Sequence, residues 1–186
     1  MGERIEGNLI CDVEPTNWTI DRNIHKINNM QYLCKNKKKI IEIGVNACHS
    51  LLLMLLVNPN AEYVLFDLNS HAYTEPCIHY IKSQFPDTKI DVIYGNSVET
   101  IHKYIMDNPH ELNTFDLIHI DGGHSPDIFM NDYNHCKKLS NGIFDDYDMY
   151  EINKFINIMI FTNQITQYKD SNMTENDLHF IYIVNI

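Results

Sequence analysis

The sequence is short of positive charge: lysine and arginine number 14 against 25 aspartates and glutamates, a formal net charge of −11. Nucleic-acid affinity rests largely on basic side chains set against phosphates, so nucleic acid is not an expected partner. A disulfide framework is missing as well, because the five cysteines are odd in number and lack framework spacing. The pairs Cys48-His49, Cys77/His79 and His135-Cys136 lack the two-pair spacing of a structural zinc site. The opening "MGERIEGN" carries charges where a signal peptide needs an apolar core, and Glu6 stands where a myristoylation signal on Gly2 needs serine or threonine. The longest aliphatic run, "LLLMLLV" at 51–57, is far below the ~20 residues that cross a bilayer. A reduced, intracellular, cytoplasmic protein without a membrane role is expected. No repeat or low-complexity linker interrupts the 186 residues, of which 44% are hydrophobic, and a chain of this length buries a core unaided.

What the chain does have is a rhythm. Apolar residues at Ile20, Ile24, Ile27, Met30 and Leu33 or Cys34 recur at helical spacing and predict a leading amphipathic helix over 20–34, ended by "KNKKK". Short apolar runs then alternate with helical segments: strands at 40–43, 63–66, 90–94 and 117–120, helices at 50–57, 76–84, 98–106 and 128–139. Strands separated by helices pair in parallel, with both faces of the sheet covered. After Leu139 the pattern shortens to a fifth strand of only Ile143 and Phe144, a helix over 150–161, and two last candidate strands in "QITQYK" and "HFIYIVNI". The turn-rich stretch between those two suits an antiparallel pair. A single domain over 1–186 is expected, with a helical extension over 1–39 and an α/β, Rossmann-like, doubly wound core over 40–186.

Five places could carry chemistry. In "IEIGVNACHS" a buried strand meets a glycine turn and a helix, a junction that aims backbone N–H groups at a ligand above the sheet. A dinucleotide fold puts its second glycine where Asn46 stands and its third near Cys48, whereas S-adenosylmethionine, without a pyrophosphate, tolerates a Cβ there. Asp67, about 20 residues on at the end of "YVLFD", can accept both ribose hydroxyls of an adenosine cofactor or cap the next turn. Asn96 in "YGNS" can read adenine or cap the helix after it. In "FDLIHIDGGHS" the strand delivers Asp121 to the carboxyl edge of the sheet, and two glycines let His124 face the same crevice, where imidazole serves as base, orienter or ligand. Asp145 and Asp146 in "FDDYD" are adjacent acids that need a cation or donors; with Asp121 they make an oxygen site suited to magnesium or calcium, or else a cluster drawn to a helix N-terminus.

Taken in order, "IEIGVNACHSLLLML", "FDLNSHAYTEPCIHYIKSQFP", "YGNSVETI", "IHIDGGHSPDIFMNDYNHCKKLSNG" and "FDDYD" resemble class I S-adenosylmethionine-dependent methyltransferases, in the small-molecule O-methyltransferase branch that includes the catechol and macrolide-sugar enzymes. The resemblance implies a sheet of about seven strands with an antiparallel last strand. It implies cofactor contacts from Glu42, Gly44, Asn46, Ser50, Asp67, Asn96, Ser97 and Asp121, and metal ligation by Asp121, Asp145 and Asp146. It further implies S-adenosylmethionine and Mg2+ or another divalent cation as cofactors; on mechanistic grounds Asp121 and His124 are the expected catalytic residues, His124 as base or substrate contact. The expected partner is a small-molecule or sugar acceptor and, in a homodimer, a second copy of the chain. A degenerate scaffold that binds cofactor or a protein partner without turnover is the competing expectation.

Overall fold

The computed structural model describes residues 20–112, 114–175 and 178–185, together with Glu3 and Ile5. The expectations of no apolar leader and no acylation signal fall on residues outside that set. Helix α1 spans Ile20–Cys34 and is followed by β1 Lys39–Ile43, α2 His49–Val57, β2 Glu62–Asp67, α3 Thr74–Gln84, β3 Ile90–Tyr94 and α4 Ser97–Asp107. Next come β4 Leu117–Ile120, α5 Pro126–Cys136, β5 Gly142–Phe144, α6 Tyr150–Phe161, β6 Ile165–Gln167 and β7 Phe180–Val184. The seven strands form one sheet in the order β3-β2-β1-β4-β5-β7-β6. Strands β1 to β5 pair in parallel, and β7 runs antiparallel to both β5 and β6. This is the Rossmann-like sheet the alternation predicts.

The alternation of side chains along the strands sorts the core into two layers. Ile40, Tyr63, Leu65, Leu117 and Ile143 face one side, where they meet Met30 and Cys34 of α1, the leucines of α2 and Ile78 and Ile81 of α3. Ile41, Ile43, Val64, Phe66, Ile118, Ile120 and Phe144 face the other, against Ile101 of α4, Phe129 and Tyr133 of α5 and Ile156 of α6. Helix α2 is apolar almost all round because α1 packs over it from outside, which leaves Leu56 as its main exposed leucine.

One element bears out its expectation and another departs from it. The fifth strand is short, as the sequence suggests, yet it is firmly seated. Phe144 stacks on Tyr182 with ring centroids 4.1 Å apart, and a Cβ at Gly142 would lie 2.5 Å from the Ile118 carbonyl oxygen, so only glycine lets β5 approach β4 this closely. Helix α5 begins at Pro126, two residues before the predicted start, because proline is at home in the first helical turn.

Candidate functional site

The strand order reverses between β1 and β4, and in open α/β sheets a crevice forms outside the carboxyl ends at such a point. Here that crevice is a cavity of about 460 Å³. Gly44, Asp67, Ser97, Asp121, His124 and Asp146 all contribute to its wall, as do Asn46, Ser50 and Asn96. The fold therefore brings nine of the eleven predicted site residues to one place. Glu42 does not reach the wall, and neither does Asp145.

Each position has a local cause. Gly44 has φ 84°, and a Cβ there would sit 1.9 Å from the backbone oxygen of Asp121. The first two strands of the switch point can diverge around the cavity only if this residue is glycine. Asn46 and Cys48 also take left-handed backbone, φ 50° and 65°. Asparagine adopts that region readily and cysteine does not, but the Cys48 side chain is buried with the α2 core and turned away from the cavity wall. Burial pushes its thiol well above the usual range, so it is a neutral packing group.

Asp67 latches the turn. Its Oδ2 accepts the amide hydrogens of Val45 at 2.8 Å and Asn46 at 2.9 Å, and its Oδ1 accepts that of Asn69 at 2.7 Å. A carboxylate has about four acceptor sites, so capacity for a ligand hydroxyl remains. Asn96 caps α4, its Oδ1 accepting from the Val98 amide at 3.1 Å. Ser50 donates its hydroxyl to Glu42, which is wholly buried behind the turn.

Behind the cavity lies a buried polar layer that no apolar pattern announces. Glu42 of β1 and His119 of β4 are register partners on the face toward α1. His119 Nδ1 lies 3.0 Å from Glu42 Oε1, and its Nε2 lies 3.3 Å from Asp145 Oδ2. Burial disfavours the imidazolium, but the hydrogen bonds to Asp145 and Glu42 outweigh it, and the group is pushed up to about 10. Asp145 also meets Lys26 of α1, whose Nζ is 2.5 Å from Oδ1. Burial opposes the charge on Asp145, yet the Lys26 ammonium and the His119 hydrogen bond hold its carboxyl below the usual carboxylate range. On α1 the buried stripe runs through Lys26 and Asn29 as well as Met30 and Cys34, because those polar residues face Asp145 and His179. The signals that could have found this layer are the lone glutamate in "KIIEI" and the lone histidine in "LIHI", opposite one another in register.

The two adjacent acids are sent in opposite directions. Asp146 has φ 54°, a left-handed turn that directs its carboxylate to the cavity while Asp145 points into the buried layer. His124 Nε2 lies 2.7 Å from Asp146 Oδ2, and that hydrogen bond raises the imidazole above its ordinary range. Asp121 is raised well above the usual carboxylate value by burial and then by the neighbouring charge of Asp145. Among the described residues, two groups have ligand atoms within 4.8 Å of one another, His119 with Asp121 and Asp145, and Asp121 with His124 and Asp146. Asp145 and Asp146, predicted as ligands of one ion, fall in different groups because the turn separates them. Another residue the sequence reading missed is Asp132 of α5, buried behind Gly122 and raised by burial to about 6, with Ser97 working the other way.

A doubly wound sheet with a single glycine turn, an acid at the end of β2 and an acid and histidine after β4 defines an adenosyl-cofactor scaffold of the methyltransferase type. Residues 15–144 match the O-methyltransferase family, and the chain belongs to that family, an enzyme family that works with S-adenosylmethionine. No curated protein matches the sequence. The fold is similar to that of a Staphylococcus aureus protein assigned as a caffeoyl-CoA O-methyltransferase, with TM-score 0.61, 15% identity, and 86% of this chain and 83% of that one covered. It is similar also to the O-methyltransferase TomG from Streptomyces achromogenes, solved with S-adenosylmethionine, with TM-score 0.64, 14% identity, and coverage of 86% and 79%. A spermidine synthase bound to a transition-state analogue shares the fold at TM-score 0.54 and 15% identity, with 88% and 60% covered. Among the described residues no helix is long and apolar enough to cross a membrane.

Proposed function

We propose that the cavity binds S-adenosylmethionine and that the chain transfers its methyl group to a hydroxyl oxygen of a small-molecule or sugar acceptor. The observation that carries this reading is the meeting of Asp67, on the cofactor side, with the His124 and Asp146 pair at 2.7 Å on the walls of one cavity. Asp67, the turn amides, Asn96 and Ser97 serve the adenosyl half. Gly44, Asn46 and Ser50 face the methionyl half, with Glu42 acting from behind through Ser50.

Methyl transfer from a sulfonium forms an O–CH3 bond, breaks the S–CH3 bond and releases the hydroxyl proton. A phenol-like hydroxyl of pKa about 10 is ~3 units from neutrality, a deficit of ~4 kcal/mol. A positioned base supplies 10²- to 10⁴-fold, roughly 3 to 5 kcal/mol. With Nε2–H donating to Asp146, His124 Nδ1 is the nitrogen that takes the acceptor's proton, and Asp146 fixes that tautomer and steadies the imidazolium.

The ligand atoms of Asp121, His124 and Asp146 group within 4.8 Å; with both nitrogens of His124 occupied in its role as base, the carboxylates of Asp121 and Asp146 are the residues that would hold a divalent ion such as magnesium. Such an ion would acidify and orient the acceptor hydroxyl. Asp145 does not fit as a ligand, since both its oxygens are engaged by Lys26 and His119.

The test is calorimetry of the full chain with S-adenosylmethionine and S-adenosylhomocysteine. Saturable heat and a rise in melting temperature are expected. No heat and no thermal shift with either would sink the enzymatic reading and leave a scaffold that acts through a protein partner.

A further inference from the structure

Asp145 is neutralised by the chain itself. Lys26 approaches its Oδ1 at 2.5 Å, with the two side chains 11% and 1% exposed. The same Oδ1 accepts the Asp146 amide hydrogen at 2.9 Å, and Oδ2 faces His119 Nε2 at 3.3 Å. An ammonium, an imidazole and an amide thus surround a single carboxylate. A divalent ion on that carboxylate would have to displace a buried ammonium or sit beside it, and two cations sharing one buried oxygen repel each other strongly. Lys26 is held charged against burial by Asp145, then Asp121, then Asp146, so it feels all three acids of the cluster. The lysine comes from α1 in the N-terminal extension, and the acids come from the ends of β4 and β5.

We propose that the Lys26 ammonium is a built-in counter-ion that holds Asp145 in place of a divalent metal, so that an ion bound in the cavity is held by Asp121 and Asp146 without Asp145. The inference rests on the reading of this cavity as an O-methyltransferase site. Ion binding is measured without turnover or cofactor, so its failure is distinct from a failure of the calorimetry above.

The experiment is Mn2+ titration of the full chain, followed by loss of the free-ion electron paramagnetic resonance signal, with circular dichroism as the check on folding. Lys26→Met is expected to bind Mn2+ at least tenfold tighter than wild type, because Asp145 is then released to the ion. The gain should vanish in the Lys26→Met/Asp145→Asn double variant. In the wild-type background, Asp145→Asn should leave the affinity within about twofold. A folded Lys26→Met protein that binds no tighter than wild type overturns the proposal, and so does a loss of tenfold or more in Asp145→Asn. Should Lys26→Met not fold, the comparison of wild type with Asp145→Asn decides: equal binding supports the counter-ion, and no Mn2+ binding by wild type overturns the proposal.

Discussion

His119 and Glu42 stand side by side on adjacent parallel strands, with imidazole Nδ1 3.0 Å from carboxylate Oε1 in a wholly buried setting. The second imidazole nitrogen faces Asp145, so both nitrogens act as donors and the ring is an imidazolium. Because the folded value is about 10 and the ordinary value 6.5, the stabilisation is fully present below about pH 6.5 and is lost as pH rises toward 10. Urea unfolding across that window should show stability falling with pH. His119→Asn should flatten the slope and cost about 3 to 5 kcal/mol at neutral pH, the usual penalty for breaking a buried charged pair. A slope unchanged in the variant would remove His119 as its source.

Asp132 has the same sign in a lower pH window. Its folded value of about 6 exceeds the ordinary 3.8, so the native state holds the proton longer than the unfolded chain, and stability falls as pH rises from about 3.8 to 6. Asp132→Asn keeps the shape and removes the buried charge. It should raise stability at pH 7 by about 1 to 3 kcal/mol, from a shift of roughly two units at 1.36 kcal/mol each. Differential scanning calorimetry at pH 4 and pH 7 should show the gain only at the higher pH.

Gly44→Ala is expected to be among the most damaging single changes. The added methyl would meet the Asp121 carbonyl oxygen at 1.9 Å, a backbone atom that cannot rotate away, at a φ that alanine resists. A loss of about 3 kcal/mol or more is expected, read as a drop in the urea midpoint. Cofactor heat should disappear with it, since the clash lies between the two strands that frame the cavity.

The His124 and Asp146 pair governs the pH profile of methyl transfer. The base form of His124 is needed, so the rate should rise with pH through a midpoint above 6.5. Asp146→Asn removes the hydrogen bond that raises the imidazole, and the midpoint should move down. His124→Gln should lower kcat by 10²- to 10⁴-fold while leaving S-adenosylmethionine affinity within a few fold. A midpoint that stays in place in Asp146→Asn would separate the histidine from the rate.

The strand and helix order was legible because each element carries an unmixed period. Helix α1, strands β3 and β4 and helix α6 lie where the periodicity predicts them, to the residue. The cavity wall was legible too, since a parallel sheet delivers the ends of its strands to one edge whatever the details of packing. What could not be read is the direction of a side chain at a turn. Nothing in "FDDYD" tells that Asp146 adopts φ 54° and so parts company with Asp145. Lys26 was equally hidden: a lysine on a helix reads as a solvated residue until the partner across the interface is known, and that partner is 119 positions further along the chain. Cys48 carried a different lesson. Its place near a glycine of the related motifs drew attention to the cavity, whereas left-handed backbone turns its thiol into the α2 core.

The latch formed by Asp67 on the amides of Val45 and Asn46 sets the turn before any ligand arrives. A molecule entering above it docks onto a surface that is already shaped, so little chain freedom is surrendered on association and the encounter resembles a key meeting a finished lock.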